Sequence, residues 1–133
     1  MPLPTCPDFE VIKFSVTVEG GQAFDVPVKD AESIHIKIPE NSKYVTTIHF
    51  KVHKDLKGFT YKQQVKKAGI VVKSREIELG DYEAKDEIYT KEFPEDTTPG
   101  GFLFRGQFPA VSTYCANGEE LLVVEWVTEV TKK

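Results

Sequence analysis

The sequence predicts an all-β protein, folded as a β-sandwich or barrel of about nine strands in one domain over residues 1–133. Apolar and polar residues alternate with a period of two along most of the chain, as half-buried strands require. Segments rich in Gly, Pro and Asn separate these runs at short intervals. No segment has a convincing helical pattern.

The clearest strands lie in the first half of the chain. Residues 12–18 place four apolar side chains, from Ile12 to Val18, on one face and polar side chains on the other. Residues 34–38 and 44–52 show the same alternation, so each is predicted to have one face in water. Six further strands are expected at residues 24–28, 59–66, 70–79, 88–93, 102–114 with a break at Pro109, and 121–130.

Two prolines fall inside apolar stretches, Pro27 and Pro109. Because proline cannot donate a hydrogen bond to a β-ladder, both are predicted to mark edge strands or bulges. Turns between the strands are expected at residues 20–21, 39–42, 57–58, 98–101 and 117–118.

Charge is distributed unevenly along the chain. The net charge of −4 argues against a nucleic-acid binder that works through overall electrostatics. Residues 51–75 carry eight basic side chains and one acidic one, a local charge of +7, whereas residues 76–96 carry nine acids and two lysines. These segments are either solvated faces or docking surfaces for charged partners, and an anionic membrane is a candidate partner for the basic one.

Signals for export and for membrane insertion are missing from the sequence. No apolar run approaches the roughly 18 residues of a spanning helix, and residues 1–8 do not resemble a signal peptide. Cys6 and Cys115 are 109 positions apart, so two free thiols are expected, with a disulfide as the open alternative. Trp126 follows both cysteines, unlike the Cys, Trp, Cys order of extracellular immunoglobulin domains. The chain is therefore expected to be cytoplasmic.

Motifs for catalysis and metal binding are also missing. The sequence has no Gly-x-Ser-x-Gly, no phosphate-binding glycine-rich loop and no His-Glu-x-x-His. On a strand, His49 and His53 would lie roughly 13 Å apart, too far to share a metal ion. The acidic run at 76–96 does not by itself establish an acid/base pair. Neither an enzyme nor a metal or cofactor is expected.

Five segments carry a resemblance to a known family. They are residues 44–54, residues 58–61 with Gln63, residues 80–82, residues 94–106 with GlyPheLeuPheArgGly at 101–106, and Glu125 with Trp126. In order and spacing, these segments resemble the Rho GDP-dissociation inhibitors, which extract prenylated Rho-family GTPases from membranes. The resemblance implies an immunoglobulin-like β-sandwich of about nine strands that regulates these GTPases in their GDP form and acts as a monomer.

The resemblance also implies a site. The isoprenoid pocket of the family lies between the two sheets, and the matching positions here are Val16, Ile36, Tyr44, Leu56, Leu103, Ala110 and Trp126. Glu95 and Asp96 match the acids that the family presents to the basic segment before the prenylated cysteine. The implied partners are the prenylated GTPase, its isoprenoid lipid and, transiently, a membrane surface.

The chain departs from the family pattern inside the pocket and at the N-terminus. Val124 stands where members commonly carry a second tryptophan, and Ala110 is smaller than the usual aliphatic residue, so a wider pocket is expected. Family members carry a helical arm before the sandwich, whereas this sequence begins almost at its first strand. If Met1 is the natural start, inhibition of nucleotide release is in doubt while lipid binding is retained; a shortened sequence would look the same.

Two other classes of protein are compatible with the sequence. One is a general carrier of lipidated proteins, resembling the delta-subunit prenyl-binding proteins. The other is an interaction domain with a solid core and no ligand, because composition alone does not show whether the sheets enclose a pocket.

Overall fold

The structure, a computed structural model, describes residues 3–133 and contains ten β-strands and one short 3₁₀ turn within them. In chain order the elements are β1 (Phe9–Val18), β2 (Gln22–Pro27), β3 (His35–Pro39), β4 (Lys43–Val52), β5 (Leu56–Lys67), β6 (Ile70–Tyr82), β7 (Lys85–Glu92), β8 (Asp96–Thr97), the 3₁₀ turn (Phe102–Phe104), β9 (Gly106–Ala116) and β10 (Glu119–Thr131). Each of the nine expected strands has a counterpart. The additional strand, β8, has only two residues and so cannot show alternation in sequence.

The strands form two sheets packed face to face, which confirms the immunoglobulin-like β-sandwich. The first sheet has the order β2-β1-β4-β7, with β8 paired to β4, and the second has the order β3-β10-β9-β5-β6. The pairs are antiparallel except for β3 and β10, which run parallel. Each sheet therefore presents one face to a common interior.

One end of the interior is filled by aromatic side chains from both sheets. Phe9 and Phe50 of the first sheet contact Phe59 of the second, with ring centroids 5.0 and 5.5 Å apart. Tyr114 stacks on Phe59 with a centroid distance of 6.2 Å. Aromatic contacts of this kind add about 0.5–1.5 kcal/mol each beyond the burial of the rings. This end of the sandwich is closely packed.

The inward face of β1 differs from the sequence prediction near its beginning. The register between β1 and β4 shifts between Val11 and Lys13, which places a β-bulge there. Phe9 and Val11 face inward before the bulge and Phe14 faces inward after it. Ile12, which is predicted to face inward, is only half-buried. The prediction for this residue is wrong because strict alternation does not allow for an inserted residue.

The expected strand over residues 102–114 is corrected at its beginning. Residues 102–104 form the 3₁₀ turn, and the strand starts two residues later. Pro109 does not break the strand; it lies where β9 pairs with β10 alone, because the pairing of β9 with β5 begins at Ala110. Pro27 ends the edge strand β2. The prediction of an edge strand or bulge is therefore confirmed for Pro27 and wrong for Pro109, which lies in the inner strand β9 at a position where no donor to β5 is needed.

Two hairpins turn through residues with positive φ. Asn117 and Gly118 connect β9 to β10 with φ values of 55° and 77°. Ala68 and Gly69 connect β5 to β6 with φ values of 52° and 79°. Paired positive φ values match the right-handed twist of the flanking strands and produce tight two-residue turns.

Candidate functional site

A cavity of about 540 Å³ lies between the two sheets. Its wall runs from Phe9 and Tyr114, at the aromatic end of the interior, to Val65 and Phe108 near the opposite end. The size falls within the range of about 300–1,000 Å³ that is usual for small-molecule sites. The interior is therefore not packed solid, which argues against an interaction domain with a solid core.

The wall of the cavity is mainly apolar. Ile34, Ile36 and Ile38 contribute to it and are each at most 9% exposed. The alternation around β3 produces this arrangement, because the intervening His35 and Lys37 face water. The isoleucines offer a ligand dispersion contacts and removal from water, with no polar group to satisfy.

A chain of hydrogen bonds runs along one wall of the cavity. Trp126 Nε1 donates to Ser112 Oγ over 2.8 Å, and Ser112 Oγ lies 2.7 Å from the Tyr61 hydroxyl oxygen. The Tyr61 hydroxyl donates to Gln63 Oε1 over 3.0 Å, so Ser112 donates to Tyr61. Burial raises the pKa of Tyr61 to about 12. The chain fixes the indole ring of Trp126 in the wall.

Several of the side chains in the cavity wall are exposed to solvent. Five of them lie on β6, on β8 or in the 3₁₀ turn, and we call these the cavity mouth: Val72, Lys73, Arg75, Asp96 and Phe104.

Asp96 is the centre of the charged cluster at the cavity mouth. Its carboxylate accepts hydrogen bonds from Lys73 Nζ at 2.5 Å, Arg75 Nη1 at 3.2 Å and the Tyr44 hydroxyl at 3.0 Å. Burial alone would raise the pKa of the Asp96 carboxyl, but hydrogen bonds from Lys73 and the Thr97 N–H outweigh burial and lower it. Burial, and then the negative charge of Asp96, raise the pKa of the Tyr44 hydroxyl.

Glu40 holds the 3₁₀ turn against the body of the sandwich. Its carboxylate accepts two hydrogen bonds from Arg105, through Nε and Nη2 at 3.0 Å each, and one from the Gly101 N–H at 3.1 Å. The hydrogen bonds from Arg105 are the main reason that the pKa of Glu40 lies below its ordinary value. Because Gly101 and Arg105 bracket the turn, the ion pair fixes Phe104 at the cavity mouth.

The seven predicted pocket positions divide into those in the cavity wall and those outside it. The residues in the wall are Ile36, Tyr44 and Trp126. The residues buried elsewhere, each at most 1% exposed, are Val16, Leu56 and Ala110. Leu103 is 59% exposed, because residues 102–104 turn instead of extending β9, and its neighbour Phe104 lines the cavity.

The two predicted tail-binding acids have different surroundings. Asp96 is compensated by the basic groups at the cavity mouth. Glu95 is exposed and forms no salt bridge with any residue in the described range 3–133. Beside it in sequence, β7 carries three further exposed acids, Asp86, Glu87 and Glu92.

Sequence reasoning misses other parts of the wall. Residues 3–6 and 28–31 contribute to it from irregular segments, where no alternation reveals which side chains face inward. Ser112 and Gln63 could have been found, because a polar residue at an inward position of an alternating strand signals a buried hydrogen bond.

Other polar groups form hydrogen bonds on the outer faces of the sheets. On the first sheet, Ser15 Oγ lies 2.9 Å from His49 Nε2 and donates to Asp25 Oδ1 over 2.8 Å. Among residues 3–133, no group of three or more His, Cys, Asp or Glu side chains is arranged to hold a metal ion. Cys6 and Cys115 are free thiols. No helix in this part of the chain is long and apolar enough to cross a membrane.

The fold and the cavity define a class of protein: a β-sandwich with a mainly apolar cavity between its sheets. The chain matches the family model described as "RHO protein GDP dissociation inhibitor" over residues 3–133. It therefore belongs to the Rho GDP-dissociation inhibitor family.

Curated relatives agree with this assignment. The chain is 39% identical over 111 residues to the Rho GDP-dissociation inhibitor of Saccharomyces cerevisiae, covering 80% of this chain and 55% of the relative. It is 30% identical over 107 residues to that of Schizosaccharomyces pombe, covering 75% of this chain and 52% of the relative. The chain thus spans about half the length of the curated relatives it matches.

Solved structures with little sequence identity share the fold. The C-terminal domain of wzt is similar with a TM-score of 0.61 at 11% identity, covering 98% of this chain and 78% of that one. A Niemann-Pick type C2 protein from Japanese carpenter ant is similar with a TM-score of 0.53 at 12% identity, covering 98% of this chain and all of that one. At these identities the likeness concerns the fold alone.

Proposed function

We propose that this chain binds prenylated Rho-family GTPases in their GDP form, shields the geranylgeranyl group in the cavity between its sheets, and removes these GTPases from membranes to the cytoplasm. It acts as a regulatory binding protein and catalyses no reaction. The observation that carries the proposal is the apolar cavity of about 540 Å³ in a chain of this family.

Contacts beyond the lipid are needed to drive extraction. Burying a prenyl chain gains about 0.8 kcal/mol for each CH₂ removed from water, but membrane hydrocarbon offers nearly the same gain. Transfer of the lipid from bilayer to cavity is therefore close to neutral. The free energy of extraction must come from contacts between this chain and the GTPase itself.

The acidic segment supplies a partner for the basic tail of the GTPase. In this proposal Glu95 and Asp96 receive the tail, and the exposed acids of β7 extend the negative surface. Asp96 is partly neutralised by Lys73 and Arg75, so Glu95 is expected to contribute more than Asp96. Opposite charges at such a surface raise the association rate and fix orientation.

A fluorescent geranylgeranylated peptide, with the sequence of a Rho-family C-terminus, tests the cavity directly. We expect saturable binding that Val72→Asp weakens by about tenfold or more, because a carboxylate at the cavity mouth opposes entry of the lipid. The matched control is Ile88→Asp, since Ile88 is 49% exposed, close to the 48% of Val72, and lies outside the cavity wall. Equal loss in both variants, or no binding to folded wild type, contradicts the proposal.

An unprenylated GTPase separates this function from that of a general lipid carrier. Measurable affinity for the unprenylated GTPase, lowered by Glu95→Lys and by added salt, supports an inhibitor that recognises the protein. Affinity for the prenylated peptide alone, with none for the unprenylated GTPase, favours the carrier.

A further inference from the structure

The turn of the β5–β6 hairpin and the neighbouring 3₁₀ turn both expose large apolar side chains beside the cavity mouth. On the β5–β6 hairpin these are Ile70, Val71 and Val72, which are 68%, 44% and 48% exposed. On the 3₁₀ turn they are Phe102, Leu103 and Phe104, which are 76%, 59% and 39% exposed. We call these six residues the apolar tips. A contiguous cluster of exposed apolar side chains marks a surface that binds a partner or a membrane.

The hairpin tip is exposed because it extends beyond its neighbour in the sheet. The pairing of β5 with β9 ends at Val65 and Ala110, whereas the pairing of β5 with β6 continues to Lys67 and Ile70. The last residues of the hairpin therefore have no strand on their other side. They project from the sandwich as a two-stranded ribbon.

The two tips are fixed relative to each other. Lys67 Nζ donates a hydrogen bond to the Leu103 carbonyl oxygen over 2.6 Å, and the same ammonium group lies 5.4 Å from the centre of the Phe104 ring. The ion pair of Glu40 with Arg105 anchors the 3₁₀ turn from the other side. The apolar tips are thus one built surface.

The charge around the apolar tips identifies what they fit. Lys66 and Lys67 end β5 beside the hairpin tip and form no salt bridge with any described residue, whereas Lys73 and Arg75 share Asp96 and Arg105 pairs with Glu40. Apolar side chains surrounded by lysines are the combination that binds the surface of an anionic bilayer. A second copy of this chain would bring the same positive charge to the contact and be repelled.

We propose that the apolar tips dock on anionic membranes, with Ile70 and Phe102 entering the headgroup region and Lys66 and Lys67 contacting acidic lipids. This docking deepens the proposed function, because Val72 and Phe104 belong both to the tips and to the cavity wall. With the tips on the bilayer, the cavity mouth faces the lipid, and a prenyl group passes from bilayer to cavity without crossing water.

Vesicle flotation of the chain alone tests the docking. Wild type is expected to float with vesicles of phosphatidylcholine and phosphatidylserine, and far less with phosphatidylcholine alone. Ile70→Ser combined with Phe102→Ser is expected to weaken binding by about tenfold or more, through loss of apolar contact with the headgroup region. Lys66→Gln with Lys67→Gln is expected to weaken it by roughly fivefold for each lysine removed.

The control replaces two exposed apolar residues elsewhere, with Ile88→Ser and Val123→Ser, which are 49% and 41% exposed, and is expected to float like wild type. The docking is overturned if wild type floats equally with both kinds of vesicle. It is also overturned if the variant with Ile70→Ser and Phe102→Ser floats as well as wild type. Light scattering that shows a wild-type dimer abolished in the tip variant also overturns it, because a second copy would then cover the surface.

Prenyl-peptide binding in lipid-free solution separates this inference from the proposed function. Ile70 and Phe102 lie outside the cavity wall, so their combined variant is expected to bind the geranylgeranylated peptide as wild type does. If wild type floats but binds no prenyl peptide, the proposed function fails and membrane docking stands. If it binds the peptide but never floats, docking fails alone.

Discussion

Replacing Ser112 with alanine tests whether the hydrogen-bond chain in the cavity wall stabilises the protein. Ser112 is buried, with 3% of its surface exposed. Its Oγ has two hydrogen-bond partners, the indole N–H of Trp126 at 2.8 Å and the hydroxyl of Tyr61 at 2.7 Å. The substitution removes one oxygen, so the partly buried indole N–H of Trp126 loses its acceptor, and the Tyr61 hydroxyl keeps only its hydrogen bond to Gln63. We expect the free energy of unfolding to fall by about 1–3 kcal/mol.

Urea and thermal unfolding followed by circular dichroism measure this loss. For a chain of this size, about 4 °C of melting temperature corresponds to 1 kcal/mol, so a decrease of about 4–12 °C is expected. The matched control is Thr113→Val, which removes a hydroxyl from the next position of β9 and is expected to change stability by about 0.5 kcal/mol or less.

A double-mutant cycle assigns the loss to the contact. Ser112→Ala and Trp126→Phe are expected to be less than additive by about 0.5 kcal/mol or more, because the two residues share one hydrogen bond. If Ser112→Ala is no less stable than Thr113→Val, or if the two substitutions are additive, the chain of hydrogen bonds does not stabilise the wall.

Three further predictions concern stability, pH and charge. The raised pKa of Tyr61 favours the folded state below about pH 10, and roughly 3 kcal/mol of this contribution to the free energy of unfolding is lost as pH rises to about 12. In Tyr61→Phe the loss of stability between these pH values is expected to be smaller, and the same pH dependence as in wild type would contradict the prediction. Phe59→Ala is expected to lower the free energy of unfolding, measured in urea, by about 3–5 kcal/mol. Phe102 is 76% exposed, so Phe102→Ala is expected to lower it by about 0.5 kcal/mol or less, and similar losses in both variants would contradict the packing described. Asp96→Asn frees Lys73 from its carboxylate partner, so flotation with anionic vesicles is expected to increase; a decrease would show that Asp96 itself supports docking.

Much of the fold follows from local sequence patterns. Alternation identifies residues 34–38 and 44–52 correctly because both strands are regular and bury one face. It fails at Ile12, where a bulge inserts one residue, and at residues 102–104, where the chain turns before β9 begins. Both failures arise from tertiary constraints that the local pattern does not contain.

The cavity is less predictable from sequence than the strands. The family resemblance selects Ile36, Tyr44 and Trp126, all of which lie in its wall. It also selects Leu56, an inward residue that packs at the aromatic end instead. Whether an inward residue meets packed atoms or empty space depends on the spacing of the two sheets, which composition does not encode.

The sequence reveals the charged segments but not the ion pairs that form between them. The basic and acidic segments are evident in the sequence, yet Lys73, Arg75 and Asp96 from these two segments pair with one another at the cavity mouth. Sequence distance conceals this contact, because β6 and the segment after β7 are brought together only when the sandwich closes. The unpaired part of the acidic surface, including Glu95, is what remains for a basic partner.

The indole N–H resonance of Trp126 gives the most direct test of a prenyl site between the sheets. The chain has a single tryptophan, and its indole N–H donates to Ser112 in the cavity wall, so nitrogen-15 NMR reports on the cavity through one assigned signal. Titration with a geranylgeranylated peptide is expected to shift this resonance saturably, and the same peptide without the lipid is expected to leave it in place. An unmoved resonance in a folded chain saturated with the prenylated peptide would contradict the account.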